Sequence, residues 1–178
     1  LRQLLTVANL YVAEQNRSTE QLLLADGLWS LAQKAEAGSD AQLQFVKFFA
    51  QFARSDQQLA NISALLNGEL KLASLAIDTD LRWELITSLA VGGKITSELI
   101  DQELAGDNTA NGQKYHVAAI AALPDQGSKQ AMFTKLVATD ELSNALVNSA
   151  SLAFGRVLDP KSLEPFVSSY FENVLKIW

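Results

Sequence analysis

The 178-residue sequence contains no cysteine, one histidine (His116), one methionine (Met132) and three prolines. Without cysteine there is no disulfide, no thiolate nucleophile and no cysteine-ligated zinc. A single histidine rules out an H-E-x-x-H zinc site, which needs two. Ser-His-Asp catalysis would need His116 as its base, and no nucleophile-elbow motif presents a serine to it. Basic residues are also in the minority, 14 against 20 acidic, for a net charge of −6. That balance speaks against a nucleic-acid surface, which needs clustered Lys and Arg on phosphates. It speaks equally against a basic membrane-docking face. No apolar run approaches the ~20 residues of a membrane span, and Leu1-Arg2-Gln3-Leu4-Leu5 lacks the pattern of a signal peptide. Neither nucleic acid nor membrane is therefore expected as a partner. The lack of cysteine fits a reducing, cytoplasmic setting.

What the chain does have is apolar residues, 48% of the total, recurring at helical spacing almost throughout. Leu1, Leu4, Leu5, Ala8, Leu10 and Val12 predict a first helix ending near Asn16. Ser18-Thr19-Glu20-Gln21 matches a capping box that would start a second helix, carrying Leu22, Ala25, Leu28, Trp29 and Ala32, with Gly38 just past its end. Ser39 or Asp40 caps a third, with Phe45, Phe49 and Phe52 on one face; Phe48 as well implies burial on two sides. Ser55-Asp56-Gln57-Gln58 is another capping box, and its helix stops at Asn67-Gly68. Leu70 to Ile77 alternates enough to be extended. Asp78 or Thr79 starts a helix closed by Gly92-Gly93, and further helices begin at Thr96, Thr109, about Asp125 and about Ser143. A Pro-interrupted pair runs from Pro160 to Trp178. The expected fold is all-α: about ten short antiparallel helices over 1–178 as a single helical-repeat domain, a HEAT- or armadillo-like superhelical solenoid. A compact helical bundle is the competing architecture. Leu1 in place of Met and the apolar end at Trp178 suggest two ends cut from a longer polypeptide.

No pattern of residues amounts to a reaction centre. His116, inside a predicted helix, suits a partly buried imidazole bonded to a neighbour. Gly92-Gly93-Lys94 lacks the upstream glycine and the Ser or Thr of a phosphate loop. Asp78-Thr79-Asp80 and Asp101-Gln102-Glu103 lack the oxygen-rich loop of a calcium site. Asn16-Arg17-Ser18 and Asn61-Ile62-Ser63 match the short glycosylation sequon. Arg82-Trp83 stands out. Arg82 lies four residues after Asp78, at the spacing of an intrahelical ion pair with Trp83 as core. Alternatively Arg82 faces a cavity and meets a carboxylate or carbonyl through its fork of donors.

Several segments together resemble a known family. Asp40-Ala41-Gln42-Leu43-Gln44-Phe45-Val46-Lys47, Asp78-Thr79-Asp80-Leu81-Arg82-Trp83-Glu84-Leu85, Ile100-Asp101-Gln102-Glu103-Leu104, Thr109-Ala110-Asn111-Gly112, Tyr170-Phe171 and Ile177-Trp178 resemble the C-terminal helical domain of bacterial aminopeptidase N. The likeness extends to the C-terminal domain of the endoplasmic-reticulum aminopeptidases. It implies a zinc exopeptidase that removes N-terminal residues from peptides, with its zinc and catalytic residues in an upstream domain. The helical array would then cover the catalytic cavity and gate substrate access, its partners being the catalytic domain of the same polypeptide and peptide substrates. On that basis this chain holds no catalytic, cofactor or metal-ligating residue, and Arg82 and Trp83 are the candidate contacts to the substrate cavity. Two departures stand out: the chain stops where family members run on through further helices, and Tyr115 precedes His116 where a basic residue is expected. The alternative is a stand-alone helical-repeat scaffold that binds proteins or peptides.

Overall fold

The structure is a computed structural model that describes residues 1–177, and among these no strand forms. Its helices are α1 (Arg2–Thr6), α2 (Glu14–Lys34), α3 (Asp40–Phe52), α4 (Asp56–Leu66), α5 (Thr79–Val91), α6 (Ser97–Gly106), α7 (Ala110–Ala122), α8 (Gln126–Ala138), α9 (Asn144–Phe154) and α10 (Glu164–Ile177). The all-α expectation holds. The chain packs as two compact units, Leu1–Ser88 and Leu89–Trp178, with α5 running across the boundary.

In the first unit α1 continues into a π-helical stretch, Val7–Tyr11, and the chain breaks at Val12 and Ala13, which are extended. Helix α2 therefore begins at Glu14, and Ser18 lies inside it. This overturns the capping box expected at Ser18–Gln21. Nothing between Asn16 and Glu20 is a helix breaker, so the helix runs on. Gln21, instead of reaching back to Ser18, donates to Asn9 Oδ1 at 2.6 Å.

Two later caps form as expected and share a design. Ser39 Oγ accepts from Gln42 N–H, and Ser55 Oγ accepts from Gln58 N–H. Gln42 Oε1 in turn accepts from Gly38 N–H, and Gln58 Oε1 from the N–H groups of Arg54 and Ser55. Each glutamine's amide nitrogen then reaches α2: Gln42 to Ala32 O, Gln58 to Leu22 O and Asp26 Oδ1. Both are buried. Between the helices pack Ala25, Leu28, Val46, Phe49, Phe52, Leu59, Ile62 and Leu65, all at most 2% exposed. Phe45 and Phe48 are half-buried, and Trp29 packs on Phe49 with ring centroids 4.9 Å apart.

The Leu70–Ile77 connector is not an extended strand. It turns, with Leu75 N–H on Leu72 O and Ser74 at φ +56°. No second strand is present to take up its backbone groups, so alternation alone does not make it β. Gly38, at φ +73°, approaches Ser74 so closely that a Cβ would sit 3.0 Å from the Ser74 Cβ. Asp78 then caps α5, accepting from Leu81 N–H at 2.8 Å.

In the second unit α5 ends in Gly93 at φ +64°, with Lys94 N–H on Leu89 O, the wrap-around bond of a glycine-terminated helix. Thr109 caps α7 and Asp125 caps α8 through their side chains. Val117, Ala121, Met132, Ala150 and Ala153 form one buried cluster across α7, α8 and α9. Phe133, Phe154 and Phe166 stack beside it at centroid distances of 5.0–6.1 Å. The Pro-interrupted pair expected at the end is a 3₁₀ turn, Pro160–Leu163, leading directly into α10. Trp178 lies outside the described residues.

Candidate functional site

Each singled-out residue has a definite place. In the first unit Trp83 is 1% exposed, a core side chain on the inner face of α5. Arg82, the next position round the helix, is half-buried. Its Nη1 donates to Leu66 O at 3.4 Å, at the carbonyl-rich C-terminus of α4, where a cation is favoured by the helix dipole.

In the second unit His116 on α7 meets Asp101 on α6, Nε2 to Oδ1 at 2.6 Å. The partly buried, neighbour-bonded histidine expected from the sequence is what forms, and Asp101 is its partner. Next to this pair opens a cavity of about 320 Å³ between α6, α7, α8 and the start of α9. Its walls are mainly aliphatic: Leu104, Val117, Ile120, Met132, Leu142 and Leu146. The polar lining is Asn108, Gln113, His116 and Lys135. None of these lining groups is a hydroxyl or thiol, so the Asp101–His116 pair has no such nucleophile to activate there.

One buried ionisable group escaped the sequence reading. Lys129 on α8 is 1% exposed. Its Nζ donates to Ala121 O at 2.8 Å and Phe154 O at 2.9 Å, near the C-termini of α7 and α9, and lies 4.7 Å from the Phe154 ring centroid. Burial lowers its pKa from 10.5 to about 8, and Asp125 opposes that drop. The signal was available: Lys129 stands on the apolar stripe it shares with Met132, Phe133 and Leu136, where a solvated lysine has no place. Enclosed as it is, this amine staples two helix ends.

Among the described residues no group of three or more His, Cys, Asp or Glu is placed to hold a metal ion. Nor is any helix among the described residues long and apolar enough to cross a membrane.

Comparison with known proteins accounts for this combination. Residues 1–178 match the family described as ERAP1-like C-terminal domain. Aminopeptidase N of Streptomyces lividans is 35% identical over 144 residues, an alignment covering 81% of this chain and 17% of that relative. The chain thus spans about a sixth of the relative it matches. A helical chain with this likeness along its whole length belongs to the ERAP1-like C-terminal domain family.

Proposed function

We propose that this chain is the non-catalytic domain of a zinc aminopeptidase, lying over the catalytic cavity and limiting which peptides reach it. The observation that carries the reading, beyond family membership, is an unsatisfied surface in the first unit. Leu4, Val7, Leu10 and Tyr11 are 44–78% exposed and recur at helical spacing along α1 and its π-helical continuation. A stripe of this kind marks a face that another domain covers. Peptide substrates, the catalytic domain as partner and a cytoplasmic location form part of the same proposal.

In that arrangement Arg82 is the candidate contact to the substrate cavity, with Trp83 as the packed support beneath it. The test uses the polypeptide in which this chain accompanies the catalytic domain. Arg82→Ala is expected to change kcat/KM for long peptides relative to a short aminoacyl anilide. A variant that loses only thermal stability, with the ratio unmoved, would remove Arg82 from the substrate path.

A further inference from the structure

The cavity of the second unit has a chemistry that its place in the fold does not require. Its titratable lining groups, His116 and Lys135, are both basic. The acids that meet them, Asp101 and Glu141, lie outside the lining. Lys135 and Glu141 are loosely joined, Nζ to Oε2 at 3.7 Å, with side chains 49% and 60% exposed. Such a pair holds little energy and is readily exchanged. His116 is fixed more firmly: its Nε2–H donates to Asp101, which sets the ring's orientation at the cavity wall. Beneath these two groups the walls are Val117, Ile120, Met132, Leu142 and Leu146. A volume of about 320 Å³ is at the lower end of small-ligand pockets.

We propose that this cavity binds a short aliphatic carboxylate, its chain against Met132 and Leu146 and its carboxylate on Lys135. The ammonium of Lys135 selects the head group and the aliphatic floor selects the tail. A chain of about six to eight carbons suits a pocket of this size. Lys135 exchanges Glu141 for the ligand, and the side-chain amides of Asn108 and Gln113 offer further donors at the mouth. This site is independent of the cover role, and its test needs no peptidase activity.

Met132 is the only methionine, so a methyl-labelled sample of the full chain gives one assignable methionine signal at the cavity floor. Titration with octanoate is expected to shift that signal saturably. Acetate, which lacks the tail, and octylammonium, which reverses the charge, are expected to leave it in place. Lys135→Gln, a substitution at an exposed position, should weaken octanoate about tenfold or more, as loss of a charged hydrogen bond does. No saturable shift with octanoate would overturn the proposal. Equal response to octylammonium, or undiminished binding in Lys135→Gln, would overturn it as well.

Discussion

The two units hold their helix ends by opposite means. In the first, Gln42 and Gln58 sit three residues after their caps, satisfy N–H groups at the starts of α3 and α4, and tie both starts to α2. In the second, the equivalent positions are Gly112, which has no side chain, and Ser128, whose hydroxyl bonds the Asp125 carboxyl. The anchoring between helices falls to Lys129, which binds carbonyls near the ends of α7 and α9. A glutamine amide both donates and accepts, so it serves N–H and C=O groups at once. An ammonium only donates, so it suits helix C-termini, where unpaired carbonyls gather. The first device depends little on pH; the second carries a charge that burial penalises.

The contrast breaks most sharply at Gly112. Capping rules say that a glutamine there would complete a box with Thr109 and stabilise α7. The structure says otherwise, because a Cβ at Gly112 would overlap the Asp107 backbone oxygen. Gly112→Gln is expected to destabilise by about 3 kcal/mol, measured by chemical denaturation. A neutral or stabilising result would mean that the α6–α7 loop moves freely. Next in size, Gln58→Ala removes contacts to both its own helix start and α2, leaving buried groups unmatched. It should cost about 2–3 kcal/mol, and a loss no larger than at an exposed glutamine would end the stapling account.

Lys129 sharpens the comparison through pH. Because folding lowers its pKa from 10.5 to about 8, the unfolded chain holds more protons between those values. Stability therefore rises as pH climbs from about 8 to 10.5. Lys129→Met should flatten that rise in urea midpoints; a variant curve parallel to the parent would contradict it. The smallest effect is at Asp125, whose carboxyl is held below its ordinary value chiefly by the Ser128 N–H. Its contribution is present above the ordinary carboxylate range and is lost as pH falls through the lowered value. Asp125→Ala should cost about 1 kcal/mol at neutral pH, the gap to the parent closing in acid.

The sequence exposed whatever is decided within one helix turn. Ser39, Ser55 with Gln58, Thr109 and Asp125 are visible as caps, and Gly38, Gly68 and Gly93 as left-handed ends, because these depend on neighbours in the chain. Ser18 failed since a matching tetrapeptide starts a helix only where the chain also breaks, and the break came earlier, at Val12 and Ala13. The second anchor of Gln58 was hidden, because Leu22 and Asp26 are far from it in sequence. The cavity was hidden for the same reason: its lining comes from four helices far apart in sequence. Trp83 was legible as core from its spacing, whereas the reach of Arg82 to the end of α4 depends on the path of the Leu70–Ile77 connector.

Under the function proposed above, this chain covers chemistry that it does not itself perform. The direct measurement is hydrolysis of an aminoacyl anilide by the purified chain in the presence of zinc, with and without chelator, alongside its bound zinc. No turnover and no stoichiometric metal are expected. Chelator-sensitive hydrolysis that co-purifies with the chain would contradict that function.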